Sequence, residues 1–125
     1  MNKMKFETKD SGTRYEEVSG FKRDTNENKP RFDLIIPNGI PYSETMLYRL
    51  AMLMTRGAKK YNERNWEKAE SETALARAKE SALRHLMQAL SGMTDEDHWS
   101  ATIFNINMAM TIEYKLNQKI KININ

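Results

Sequence analysis

Residues 94–116 read TDEDHWSATIFNINMAMTIEYKL, and the placement of their apolar side chains decides the fold. Trp99, Ile103, Phe104, Ile106, Met108, Met110 and Ile112 surround a helical axis almost completely. A helix that is apolar nearly all round is either central in its bundle or covered by another subunit. The pattern predicts a start at Thr94 and an end near Leu116. Thr94 with Asp97 three residues later approximates a capping box, with Asp in place of the usual Glu or Gln. Asp95 and Glu96 then lie near the positive end of the helix dipole, where each contributes about 0.3–1 kcal/mol.

A second helix is predicted from Ser71 to Leu90, with Gly92 just beyond it as the C-cap. Leu75, Ala82, Leu83, Leu86, Met87 and Leu90 form its expected buried face; Arg77, Glu80, Arg84, His85 and Gln88 lie opposite. A first helix is expected from Ser43, a good N-cap, with Leu47, Leu50, Ala51 and Met54 at helical spacing. Gly57 is expected to end or interrupt it, and AKKYNERNWEKAE (58–70) reads as loop. KPRFDLIIP (29–37) suggests a strand or packed extended segment between two prolines, and NGIPY (38–42) a turn. Residues 1–29 are rich in charge with few large apolar groups, which predicts an extended arm. The tail KIKININ (119–125) alternates like a strand, although fraying explains it equally well.

The expected fold is therefore all-α: a helical bundle of about three main helices with an extended N-terminal arm, completed by oligomerisation. Its divisions are an extended or disordered arm over 1–20, an α-helical domain over 21–116 and a tail over 117–125.

Composition narrows the function. With 125 residues the chain is long enough for one domain with a modest core. Absence of cysteine excludes disulfides and thiolate metal sites and fits a cytoplasmic protein. A net charge of +3, from 20 basic and 17 acidic residues well mixed, is too mild for a nucleic-acid face. No apolar run approaches the roughly 18 residues a membrane span needs, and the N-terminus lacks a secretory h-region.

At about 100° per residue, Asp95, His98, Thr102 and Asn105 share one strip of the third helix, facing the bundle interior or a cleft. A satisfied core hydrogen-bond network explains such a strip; so does a ligand site. Glu80 from the preceding helix is expected to face it, bringing carboxylates from two helices together. Oxygen ligands of that kind suit Mg²⁺ or Mn²⁺ bridging to phosphates. Asp97 points elsewhere on an ideal helix and is the better cap, Asp95 the better ligand. Arg84 and His85 are candidates for phosphate oxygens, or else an exposed face with a Glu80–Arg84 pair. Lys59 and Lys60 offer the same chemistry, Tyr61 and Trp66 offer stacking faces, and Lys29 and Arg31 are anion contacts or plain solvated charges. There is no Gly-rich phosphate loop, nucleophile elbow or H-E-x-x-H, so any chemistry is metal-assisted hydrolysis.

KPRFDLIIP, GAKKYNERNWEKA, ALRHL and DEDHWSATIFN occur in an order and spacing that resembles the phage-encoded dATP/dGTP diphosphohydrolase family (N-terminal-domain type). That family is related by analogy to the MazG-like all-α nucleotide pyrophosphohydrolases. The resemblance covers about residues 20–115. It implies hydrolysis of purine deoxynucleoside triphosphates to monophosphate and pyrophosphate with Mg²⁺, or Mn²⁺, in the host bacterial cytoplasm. On that reading Glu80, Asp95, Asp97 and His98 bind the metal, and Glu80, Asp95 and His98 act in catalysis. Lys29, Arg31, Lys59, Lys60, Arg84, His85 and Asn105 hold substrate, and Tyr61, Asn65 and Trp66 face the base or sugar. The expected partners are a small nucleotide and further copies of the chain, with no membrane and no nucleic acid. The sequence departs from the MazG pattern: Arg77 and Leu83 stand where a second acid would flank Glu80, and Asp95-x-x-His98 replaces E-x-x-D. Two alternatives follow: a pocket that captures a nucleotide without cleaving it, and a histidine–aspartate phosphohydrolase, which two histidines in the whole chain make a poor fit.

Overall fold

The computed structural model describes residues 6–25 and 27–124; the first five residues of the expected arm and the last of the tail lie outside these. The chain divides into two units, Met1–Ile35 and Ile36–Asn125. In the first, β1 (Arg14–Glu16) and β2 (Lys22–Asp24) pair antiparallel, with Tyr15 opposite Arg23. Arg14 bridges Asp10 and Asp24 at 2.6 and 2.9 Å. The described residues of the expected arm thus include one side of a small hairpin. Residues Phe32–Ile35 form a 3₁₀ turn with exposed side chains, where a strand or packed segment was expected. The Arg31–Asp33 pair at 2.6 Å closes that turn.

The second unit is all-α, built from α1 (Met46–Tyr61), α2 (Glu72–Leu90) and α3 (His98–Ile124). A 3₁₀ turn at Tyr42–Glu44 precedes α1, so the cap is Thr45 and not Ser43; its hydroxyl accepts from the Tyr48 amide. Gly57 does not stop α1. Space around it is open, and an interior glycine costs only about 0.5–1 kcal/mol, so the helix runs on to Lys59, Lys60 and Tyr61. The packed face is also rotated from the expected one: Leu50, Leu53 and Met54 are half-buried, whereas Leu47 and Ala51 are exposed.

The expected bounds of α2 hold. Ser71 accepts from the Ala74 amide at its start. At its end Gly92 (φ +82°) donates to the Ala89 carbonyl and Met93 to the Gln88 carbonyl, the paired bonds of a Schellman cap. After the four residues that follow Met93, α3 begins at His98, later than the predicted Thr94. Asp97 is its cap, accepting from the Ser100 amide (3.2 Å) and hydroxyl (2.8 Å). Arg49 of α1 holds the same carboxylate through two bonds of 2.6 and 2.9 Å. The tail continues α3 instead of forming a strand. Lys115 donates to the Glu67 carbonyl and Lys119 to the Glu70 carbonyl, tying the last turns to the chain before α2.

Helix α3 is central, as its apolar circumference implied: it packs against α2, α1 and the 3₁₀ turn Asn65–Lys68. Its pairing with α2 is antiparallel, with His85 opposite His98 and Leu75 and Ala78 clustered with Ile112, Met108 and Leu116. Small residues at the seam, Ala78, Ala89 and Ala101, are buried. That seam rotates α2 away from its expected orientation. Leu83, Met87 and Leu90 are 59, 60 and 70% exposed, while His85 and Gln88 turn inward.

Candidate functional site

Of the strip expected on α3, His98, Thr102 and Asn105 turn inward, whereas Asp95 lies before the helix and its side chain is 60% exposed. His98 is 2% exposed and Thr102 is buried, and Asn105 is half-buried. The Thr102 hydroxyl donates to the His98 carbonyl at 2.7 Å, and the Asn105 amide donates to the Ala101 carbonyl at 2.8 Å. Both bonds satisfy these polar groups inside their own helix. The imidazole of His98 has no such local option and is held by two other segments.

On one side His98 Nε2 lies 2.7 Å from Asp95 Oδ1, and on the other its Nδ1 lies 2.9 Å from His85 Nδ1. The contact with His98 lowers the Asp95 pKa, so the carboxylate is ionised and Nε2 carries the proton it donates. The Nδ1 of a neutral His98 is then an acceptor, and His85 Nδ1–H is the donor. His85 is held below the ordinary imidazole value by its burial first, then by the Arg84 charge. The two histidines of the chain therefore form one contact between α2 and α3, with ring centroids 5.1 Å apart.

Glu96 completes the cluster: one ligand atom from each of His85, Glu96 and His98 lies within 4.8 Å of the others. Glu96 is exposed, and among the described residues its carboxylate makes no ion pair. Two imidazoles and a carboxylate fit a divalent cation. One turn beyond His85, Gln88 Oε1 is buried without a hydrogen-bond partner, an acceptor open to a donor arriving at this end of the bundle.

The structure places the remaining candidates unevenly. Asp97 accepts from Arg49 and Ser100 and is occupied as cap and ion pair; its pKa falls to about 2, chiefly through the Arg49 bonds. Glu80 does not meet Asp95. The 85–98 register sets Glu80 near the level of Ile103, about 7.5 Å along α3 from His98, and its side chain is exposed. Arg84 is exposed beside His85, and Asn105 lines a small cavity with Arg77 and Ser81. Lys29 and Arg31 belong to the N-terminal unit.

Tyr61, Asn65 and Trp66 do come together. They line a cleft of about 750 Å³ between α1, the 62–66 loop and α3, whose floor includes Met54, Phe104 and Met108. Trp66 stands edge-on to Phe104 with centroids 6.1 Å apart. The rim is strained: Asn62 (φ +77°, ψ 157°) and Arg64 (φ +57°) both have positive φ without being glycine. Non-glycine residues in such conformations cost about 1–3 kcal/mol and cluster at binding sites. Lys60 Nζ lies 4.9 Å over the Tyr61 ring, and its pKa is raised by Tyr61 first and more weakly by the Glu96 charge. Glu96 is thus within electrostatic reach of both the histidine pair and the cleft rim. Lys59 is exposed beside Lys60.

Sequence reasoning missed Glu96 as a group beside the histidines and Arg49 as the partner of Asp97. The signal for Glu96 was its place between Asp95 and Asp97; nothing local announces a contact 48 residues away. No helix among the described residues is long and apolar enough to cross a membrane.

No curated protein and no solved structure is detectably similar to the chain. One family matches across most of its length, residues 19–122, a span that holds α1, α2, nearly all of α3 and every member of the histidine cluster. With a match of that extent, this all-α chain belongs to the family described as dATP/dGTP diphosphohydrolase, N-terminal.

Proposed function

We propose that the chain hydrolyses purine deoxynucleoside triphosphates, dATP and dGTP, to the monophosphate and pyrophosphate at the His85–Glu96–His98 cluster. Family membership supports the reaction class. The observation that carries the location is the buried His98 imidazole clasped between Asp95 and His85 with Glu96 alongside. In the reaction water adds to the α-phosphorus, the bond to the α–β bridging oxygen breaks, pyrophosphate leaves and a proton is released. A bound divalent cation supplies charge neutralisation at the phosphoryl oxygens and a more acidic water.

The residues have distinct tasks. His85, His98 and Glu96 hold the cation, and Asp95 orients His98. Asp97 and Arg49 fix the start of α3, and with it the position of His98. Arg84, Lys59 and Lys60 neutralise the phosphates, and Mg²⁺ accompanies the triphosphate through its oxygens. The purine occupies the 750 Å³ cleft against Trp66 and Tyr61, with the Asn62 and Asn65 amides available to its edge. Phe104 in the cleft wall follows His98 by six residues, about 9 Å along α3, a separation the triphosphate arm bridges. The partner is a small nucleotide rather than a nucleic acid or a membrane, and the site of action is the cytoplasm. In a phage-encoded enzyme, this activity shapes the nucleotide pool during replication.

The test is pyrophosphate release from a panel of four dNTPs with Mg²⁺ or Mn²⁺. Release from dATP and dGTP above dCTP and dTTP, lost in Glu96→Gln and His85→Gln, is expected. Equal activity in all three proteins removes the site. A second reading, capture of a nucleotide without turnover, is favoured by one observation: Asp95 and Asp97 are engaged, so Glu96 is the one unpaired carboxylate of the segment. Calorimetric dATP binding with no pyrophosphate formed would select it.

A further inference from the structure

We propose that His85, His98 and Glu96 form a resident site for a nitrogen-preferring divalent cation of the Mn²⁺, Co²⁺ or Zn²⁺ class, with Asp95 as the group that orients His98. The proposal rests on the reading of this cluster as the functional centre, and its test needs no turnover. Two imidazole Nδ1 atoms face each other at 2.9 Å from different helices. In the metal-free chain the His85 Nδ1 proton lies between them; once that proton sits on His85 Nε2 instead, both Nδ1 lone pairs are free for a cation. On the far side of His98 the Asp95 carboxylate accepts from Nε2 at 2.7 Å. This is the carboxylate–histidine arrangement that fixes the tautomer of a metal-binding imidazole and raises its basicity. Glu96 supplies a charged oxygen: one ligand atom from each of the three residues lies within 4.8 Å of the others, and its exposure leaves one side of the site open. Mg²⁺ prefers an all-oxygen octahedron and is reluctant to lose water, so two imidazoles select against it.

Titration of the full-length, metal-free protein with Co²⁺ followed by visible absorption, and with Zn²⁺ and Mg²⁺ by calorimetry, tests the site. One Co²⁺ per chain is expected, with nitrogen-ligand absorption bands, and Mg²⁺ binding at least 100-fold weaker than Zn²⁺. Glu96→Gln, an exposed change that leaves the fold intact by circular dichroism, weakens Co²⁺ binding at least tenfold; Asp95→Asn weakens it by about 10–100-fold. His85→Gln abolishes the bands. Absence of stoichiometric Co²⁺ uptake, or uptake unchanged in Glu96→Gln and His85→Gln, overturns the proposal. Metal binding without pyrophosphate release would leave this site standing and defeat the hydrolase reading; release with Mg²⁺ alone and no Co²⁺ site would do the reverse.

A different observation carries a second inference: the α2–α3 hairpin packs on a second copy of the chain. On α3, Trp99, Ile106, Met110 and Tyr114 lie about 120° round the axis from the α2-facing row. On α2, Leu83, Met87 and Leu90 lie about 130° from the α3-facing row in the same sense. In an antiparallel pair equal rotations of like sense fall on one flank, while α1 meets α3 on the other, through Arg49–Asp97 and the cleft lined by Phe104 and Met108. These seven side chains, 48–70% exposed, present roughly 800 Å², what one partner contributes to a standard interface and more than a typical monomer leaves open. No Asp, Glu, Lys or Arg stands between Asp97 and Glu113 to keep that flank in water. The Lys79–Glu113 ion pair bounds this flank at 3.9 Å. A two-helix layer whose flank carries such an apolar stretch is self-complementary about a two-fold axis, giving a four-helix bundle.

Light scattering after size-exclusion chromatography of the full chain is expected to give twice the 14.6 kDa chain mass or a multiple of that dimer. Met87→Glu combined with Met110→Glu should yield a helical monomer, since both side chains are already exposed within one chain. A wild-type monomer at tens of micromolar, or a dimer indifferent to the double substitution, overturns the inference.

Discussion

Replacing Asp97 separates two jobs that one carboxylate performs at the start of α3. Its pKa of about 2, against an ordinary 3.8, corresponds to about 2 kcal/mol of preference for the ionised form in the folded chain. Arg49 is 37% exposed, so solvent screening reduces the net contribution of the pair to about 1 kcal/mol. Asp97→Asn keeps a capping oxygen and loses the charge, and is expected to cost about 1 kcal/mol. Asp97→Ala loses the cap as well, for a total of about 2 kcal/mol. Urea unfolding at fixed protein concentration, followed by helical circular dichroism, reads these as midpoint shifts of about 0.3–1 M per kcal/mol. The sign of the pH dependence follows from the lowered pKa. The charge contribution is complete above the unfolded value near 4 and disappears as pH falls through about 2, so wild type and Asp97→Asn converge in acid. Identical midpoints for wild type and Asp97→Asn at neutral pH, or a gap that persists at pH 2, refute the reasoning.

Glycines provide a matched pair of stability measurements. Gly92→Ala forces a side chain into φ +82° and should lose about 1 kcal/mol, whereas Gly57→Ala, in open space within α1, should gain about 0.5–1 kcal/mol by thermal or urea unfolding. Asn62→Gly relieves a backbone conformation that suits glycine and is expected to raise stability by about 1 kcal/mol. If that strain positions the rim for substrate, the same variant raises KM for dATP, a split that steady-state kinetics reads directly. Trp66→Ala removes the edge-on contact with Phe104 and a wall of the cleft, and should raise KM for dATP about tenfold with a smaller change in kcat.

The legible parts of this protein were those whose physics is local. The bounds of α2 followed from Ser71 and Gly92 because capping involves groups three to five residues apart. The centrality of α3 followed from its apolar circumference, and the inward strip of His98, Thr102 and Asn105 from helical spacing alone. Rotations about a helix axis were not legible. Leu83, Met87 and Leu90 form as good an apolar face as the one α2 buries, and pairing of the small residues Ala78, Ala89 and Ala101 decides between them only in three dimensions. That choice turns His85 inward, and it also carries Glu80 outward and away from Asp95. The cap at Asp97 instead of Thr94 depends on Arg49, a partner 48 residues distant. Helix continuation through Gly57 and through the tail depends likewise on packing and on the Lys115 and Lys119 anchors rather than on local propensity.

Glu96 is the exposed carboxylate beside the two histidines. Its conversion to Gln leaves the fold untouched and removes the one unpaired charge of the cluster. Measured as pyrophosphate release from dATP under saturating Mn²⁺, kcat/KM of Glu96→Gln is predicted to fall at least 100-fold, with unfolding midpoints unchanged. Full activity in that variant would contradict the assignment of the His85–Glu96–His98 cluster as the reaction centre.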